Sequence, residues 1–423
     1  MSHQIRLWWK KTIRAIQSLD DERHYFRTLE CAYVLAGIET RAENPLLRIL
    51  FRFYQIMIVL QYLLCADRIY IELVADNFST DFFIRLAYIG ELTTLLSIIG
   101  FTRLYLKELA DFRTYLEIRL DSNRTKERDQ SYRLIRNILL VMQPMFLVDQ
   151  SIMYLLGLLE LPVYQVPENL RGKGRLAGLL VTLVNETNSL FIATLLAAVI
   201  TIVNSYMMSF CAELKNIATD LADIFDRADR EIEETVSNDQ RVKGNPSELE
   251  VFKELKFLVV LKRELCVFAA RHSDLLAQLN TVKPFFKWIF FCLFYGQLVT
   301  VAAVLFYMKI QGITTETVLL VTYTSSVLFG CYWFCLLADD MNDANELIGD
   351  TLYDLDWPQR MRYRTEKQRE YREIRASMLT VMINSRHNLG ISCGGLFNMS
   401  SQAFTSLMNM IYQSVMFLMN MVP

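Results

Sequence analysis

The chain has 423 residues, of which 53% are hydrophobic, 12% aromatic and 21% charged, and its 44 basic and 46 acidic side chains leave a net charge of −2. So apolar a composition excludes a disordered chain, and so balanced a charge offers nucleic acid no electrostatic attraction. Eight cysteines in a chain of this length exclude a disulfide-stapled secreted module.

Seven apolar stretches reach the length needed to cross a bilayer, at 49–66, 82–102, 134–159, 176–210, 284–308, 317–338 and 396–422. Helices of soluble proteins average about 10–14 residues, so seven such runs define an all-α, seven-transmembrane helical membrane protein. The segment 1–48 precedes them. Its first 30 residues are charged throughout and lack the apolar core of a signal peptide. Ile5, Trp8, Trp9 and Ile16 share a helical face opposite Lys10, Lys11 and Arg14, which suits a helix on the membrane surface or one packed against the protein.

Basic residues alternate between the segments that join the spans. Segments 1–48, 103–133, 211–283 and 339–395 hold 35 of the 44, and the intervening ones hold five. The excess puts the N-terminus in the cytoplasm and, after seven crossings, the C-terminus outside. Asn77, in the sequon Asn77-Phe78-Ser79, then falls in the first outer loop as a glycosylation acceptor.

Between the spans 49–210 and the spans 284–338 lies the cytoplasmic segment 211–283. There Leu214, Ile217, Leu221, Ile224 and Phe225 recur at helical spacing, and after a stretch of turn formers Ser247 and Glu250 form a capping-box pair. In 339–395, Trp357-Pro358 marks a helix boundary and a helix is expected over 360–386. These helices pack either within one subunit or as a domain that assembles several.

The last segment, 396–423, carries the most informative pattern. Asn398, Gln402, Thr405, Asn409, Gln413, Met416 and Asn420 follow at spacings of three and four, so they share one face of a helix. From 398 to 420 that face would rise about 33 Å, close to the hydrocarbon thickness. Amides are costly against lipid, which leaves two readings: the lining of a pore with Met416 as its constriction, or hydrogen bonds to neighbouring helices. Glu91, Asp149 and Glu186, inside other spans, are expected to face the interior, as paired structural groups or as an ion path.

Several chemistries are excluded. The topology is opposite to that of a G-protein-coupled receptor, and 396–423 has no lysine for a retinal Schiff base. The four histidines are scattered outside the spans, so no metal centre is expected. No His-Glu-x-x-His, Gly-x-Ser-x-Gly or phosphate-loop motif is present, and neither enzyme activity nor a cofactor is expected.

The C-terminal quarter resembles the insect odorant receptor family. The resemblance is carried by FCLLADDMNDANELIGDTLYDLDWP and REYREIRASMLTVMINSRHNLGISCGGLFNMSSQAFTSLMNMIYQS, in which Tyr353, Trp357, Gly394, Gly395, Phe397, Phe404, Tyr412 and Ser414 match the family's tail. Gln413 departs from the small hydroxyl residue common there. Ile411-Tyr412 and Leu418-Met419 depart from the ending of the related gustatory receptors. The loop between spans four and five is shorter than that of the family's shared co-receptor, so the chain looks like an odorant-tuning subunit.

The resemblance implies an odorant-gated, non-selective cation channel in the plasma membrane of sensory neurons. It would form a heterotetramer with co-receptor subunits, surrounded by membrane lipid and needing no G protein. Span seven would line the pore. A small volatile ligand would sit in the outer half of spans two, three, four and six, where Phe83, Ala87, Tyr88, Phe146, Gln150, Met153, Tyr154, Asn188, Phe191, Tyr323 and Ser326 lie. The runners-up are a transporter that uses the stripe as its substrate path and a gustatory-type receptor channel.

Overall fold

Length and apolarity make the helices, and the computed structural model shows where each begins and ends. It describes residues 26–39, 45–74, 80–120, 126–155, 175–238, 246–355, 357–361 and 368–421. In chain order the helices are α1 (Arg27–Leu35), α2 (Pro45–Val74), α3 (Thr80–Leu104), α4 (Leu106–Leu120), α5 (Lys126–Leu155) and α6 (Arg175–Ala222). There follow α7 (Ile224–Asn238), α8 (Pro246–Gln311), α9 (Thr315–Asp354), α10 (Trp357–Arg360) and α11 (Gln368–Ser385). A hairpin of two short strands, β1 (Ser392–Cys393) and β2 (Phe397–Asn398), leads into α12 (Ser401–Met421). The N-terminal face of Ile5, Trp8, Trp9 and Ile16, and the sequon at Asn77, lie outside the described residues.

Each expected span coincides with a helix. Among the described residues five are long and apolar enough to cross a membrane: Pro45–Val74, Phe82–Leu104, Thr194–Ala222, Glu250–Gln311 and Thr317–Asp354. The expected spans at 134–159 and 396–422 fall in α5 and α12, which are not among the five.

At the centre of the bundle stands α6. Every residue from Leu195 to Leu214 is buried, as an element apolar on all sides must be. Several of its polar groups are satisfied along its own backbone: Thr201 Oγ donates to the Ala197 carbonyl at 2.8 Å and Ser205 Oγ to the Thr201 carbonyl at 2.7 Å. Asn204 donates to the Ile200 carbonyl and accepts from the Trp333 indole of α9, both at 2.8 Å. Toward its C-terminal end a buried bidentate pair joins Glu213 to Arg128 of α5, the second bond being 2.9 Å.

Small residues set the crossing of α3 and α8. A Cβ at Gly296 would overlap the Thr94 hydroxyl, so the two backbones approach as closely as only glycine permits. Beside that point Gln297 Nε2 donates to Glu91 Oε2 at 3.0 Å, with both side chains buried.

Neither 210/211 nor 283/284 interrupts a helix. α6 runs through 210 into 211–222, and α8 runs without interruption from 246 across Pro284 to 311, 66 residues in all. At 1.5 Å per residue α8 is about 100 Å long. Its first half packs with α7, α9 and α11, and exposed pairs decorate that region: Lys262–Glu373 at 2.5 Å, Arg263–Glu231 at 2.5 Å and Arg360–Asp229 at 3.1 Å. Exposed pairs of this kind contribute roughly 0–1 kcal/mol each, so the apolar cluster carries the packing. The helix expected over 360–386 is α11, which spans Gln368–Ser385; residues 362–367 lie outside the described part.

The last span starts later than its composition suggests. Asn398 is not on the helix but in β2, paired with Ser392 across the hairpin, and α12 begins at Ser401. Gly394 and Gly395 adopt φ of 62° and 83°, a left-handed turn that a continuing helix cannot contain. The helical part of the stripe therefore runs from Gln402 to Asn420 and rises about 27 Å.

Candidate pore helix and outer ligand region

The start of α12 is fixed by side chains from α9. Ser400 is the cap, its Oγ accepting from Ala403 N at 3.2 Å. Asp339 accepts from Ser401 N at 2.9 Å and also from the Ser401 hydroxyl. One turn further along α9, Asn342 Oδ1 accepts from Leu389 N at 2.9 Å. Another turn on, Asn345 donates to the Ser385 carbonyl at 2.7 Å, and its Oδ1 lies 3.1 Å from His272 Nε2 of α8. The adjacent Asp340 faces α6 instead, where it receives Lys215 Nζ at 2.8 Å and the Cys211 thiol at 2.8 Å.

The hairpin before the helix is fastened to α8. Gly394 N donates to the Lys287 carbonyl at 2.9 Å, and a Cβ on Gly394 would overlap the Phe291 ring. Met399 N closes the hairpin by donating to the Ile391 carbonyl at 2.8 Å. The hairpin thus ties the start of α12 to α8 at this level.

α12 has two distinct faces. Ala403, Leu407, Ile411 and Val415 are buried in the main core, with Leu407 1% and Ile411 2% exposed. The opposite face is exposed and carries Gln402, Thr405, Asn409, Gln413, Met416 and Asn420. Among the described residues the amides of Gln402, Asn409 and Gln413 make no hydrogen bond to another helix of the chain. Tyr412 and Phe417 flank the stripe and are exposed as well.

The expected ligand residues are distributed less evenly. Phe83, Ala87 and Tyr88 lie on α3 and turn toward α8: the Phe83 ring sits 4.5 Å from that of Phe306, Ala87 packs with Ala303 and Val304, and Tyr88 packs with Ile84 and Tyr307. Phe146 of α5 is buried in the main core, and Tyr323 of α9 packs against it. The Ser326 hydroxyl donates to the Thr322 carbonyl at 3.0 Å. The side chains of Gln150, Met153, Tyr154, Asn188 and Phe191 lie outside the described ones, as do those of Asp149 and Glu186. A cavity of about 470 Å³ brings Phe83 together with Gln413 of the stripe.

Sequence reasoning did not single out Asp339, Asn342 and Asn345, nor Gln297 as the partner of Glu91. The first three stand one turn apart on one face of α9, in the segment Asp339-Asp340-Met341-Asn342-Asp343-Ala344-Asn345. Acid and amide at that spacing, directly after an apolar span, was the available signal.

Long apolar helices around a buried central one, with a polar-faced helix at the flank, define a polytopic helical membrane protein of the seven-transmembrane class. A family model described as 7tm Odorant receptor matches residues 82–412, and the chain belongs to that family. It is therefore a receptor and not an enzyme. Two solved structures of the insect olfactory receptor OR5 from Machilis hrabei share the fold at 11% identity, one of them in complex with eugenol. Their TM-scores are 0.67 and 0.66; each match covers 95% of this chain, and 99% and 98% of theirs. No curated protein matches.

Proposed function

We propose that the chain is an odorant-tuning subunit of a ligand-gated, non-selective cation channel that acts with co-receptor subunits in a heterotetramer. It serves sensory transduction in the plasma membrane of olfactory neurons, with its N-terminus cytoplasmic, its C-terminus outside and Asn77 in a glycosylated outer loop. One observation carries the reading: the polar face of α12 is exposed while the opposite face is packed. Exposed amides over about 27 Å are costly in lipid, so water and partner subunits are what that face requires. Gln402, Thr405, Asn409, Gln413 and Asn420 then line the path, with Met416, 41% exposed, as the apolar constriction. Asn398 stands at its inner mouth, just before the helix.

The helices of 211–283 and 339–395 form the assembly domain, and the hairpin on α8 carries ligand-induced motion to α12. A volatile binds in the outer half of α3, α5, α6 and α9, and the solved relative in complex with eugenol supports a small organic molecule as the kind of ligand. The test is co-expression with the co-receptor. Odorant-evoked current with unitary steps is expected, and Gln413→Ala or Asn409→Ala should change its ion selectivity or conductance. Current without unitary steps, saturating at a turnover-limited flux, would make the protein a transporter instead.

A further inference from the structure

The cavity that joins Phe83 to Gln413 lies between α3, α8 and α12, whereas the proposed odorant region lies between α3, α5, α6 and α9, with Phe83 at the border of the two. Its walls come from α3 (Phe83, Leu86), α8 (Val299, Ala302) and α12 (Gln413, Phe417), and its volume is about 470 Å³. The volume lies within the roughly 300–1,000 Å³ that small-molecule sites occupy. Ala302 and its neighbour Ala303 make room for it, since two small residues in succession leave α8 without bulk at this level. Ala303 and Gln413 each stand eight residues, about 12 Å, before the C-terminal ends of α8 and α12, which places the cavity at hydrocarbon depth. Val299 and Phe417 at the rim are 42% and 62% exposed, so the cavity opens sideways.

The lining chemistry is selective. Among the described residues no charged side chain borders the cavity. The Ser414 hydroxyl is already committed to the Met410 carbonyl at 2.8 Å. The Gln413 amide remains, with both a donor and an acceptor, and it makes no hydrogen bond among the described residues. An apolar chamber with one amide at its edge fits a compact apolar body carrying one hydroxyl or carbonyl.

We propose that this cavity is a second ligand site, which takes a small neutral amphiphile that reaches it from the membrane and seats it directly against α12. A molecule there touches the stripe through Gln413 and the packed side through α8. It therefore biases the position of α12 without passing through the odorant region. That functional consequence rests on the channel reading; the binding itself does not.

The test is photolabelling of the full receptor in phospholipid nanodiscs with a diazirine-bearing aliphatic alcohol, read by mass spectrometry of its peptides. Label should appear on 298–303 and 413–417, saturate, and be displaced by excess unlabelled octanol. Ala302→Phe fills the chamber and should lower that label several-fold while leaving label elsewhere on the chain unchanged. Gln413→Leu keeps the volume and removes the amide; it should weaken labelling by the alcohol but not by the matching diazirine alkane. The proposal is overturned if label at these peptides rises without saturating, as for lipid contact alone. It is equally overturned if Ala302→Phe leaves the label unchanged, or if the assembled receptor shields these peptides because a neighbouring subunit fills the cavity. Saturable label together with absent odorant-evoked current would count against the channel reading and leave the site standing.

Discussion

Asp339 and Gly296 show how much of this fold depends on single atoms. The Asp339 carboxylate accepts both the backbone N–H and the hydroxyl of Ser401, so Asp339→Ala leaves two donors at the first turn of α12 without that acceptor. A loss of about 1–2 kcal/mol is expected, seen as a lower melting midpoint of the purified receptor, and Asp339→Asn should lose less because one oxygen remains. If the alanine and asparagine variants melt alike, the carboxylate does not hold the helix. At Gly296 the added methyl of alanine meets Thr94, and overpacking of this kind costs about 1–3 kcal/mol. Thr94→Ala in the same chain should recover part of that loss. No recovery would mean that α3 and α8 do not meet there. The carboxylate of Glu91 stood out in the sequence because a charge in an apolar run is conspicuous. Its partner Gln297, an uncharged amide on a helix about 200 residues away, did not.

At the scale of elements, α12 separates two kinds of substitution. Leu407→Ala removes a buried side chain and should destabilise the receptor by about 2–5 kcal/mol, whereas Asn409→Ala on the exposed face should leave the melting midpoint unchanged and alter permeation. Equal melting losses for the two would show that the stripe is packed after all. α8 and α9 meet at His272 and Asn345, next to the ring of Phe268. Burial holds the His272 pKa below the ordinary imidazole value of 6.5, against the opposing effect of the hydrogen bond it donates to the Asn345 amide oxygen. The unfolded imidazole takes up its proton first as pH falls. The stability of this contact is therefore intact above about pH 6.5 and is lost below it. The drop in melting midpoint between about pH 7.5 and 5.5 should be larger for the native chain than for His272→Gln. The positions of the helices were legible because crossing a bilayer demands length. Their ends were not. At 283/284 the expected boundary was one of surroundings, which leaves a helical backbone continuous, and α8 is continuous there. At 396–400 an uncharged composition looked like helix, and Asn398 fell on the stripe by spacing alone, while the left-handed turn at Gly394 and Gly395 set the true start.

For the molecule as a whole, the orientation inferred from basic residues is directly measurable. An epitope after Pro423 should be labelled on intact cells, and one before Met1 only after permeabilisation; the reverse pattern would invert every inner and outer assignment made above. Why the architecture was readable and the ligand was not has a physical basis. A membrane imposes one coarse requirement on every span, whereas a pocket depends on which residues of distant helices meet. Phe83 illustrates this: it was expected among residues of α5, α6 and α9, yet its ring lies on Phe306 of α8. The two faces of α12 bear on descent as well. One answers to α8 and α9 within the chain and the other to whatever lies outside it, so mutations on either can accumulate without compensation on the other. A chain sharing 11% identity with a solved relative has kept the shape of that relative. A helix divided in this way lets permeation and packing drift on separate clocks.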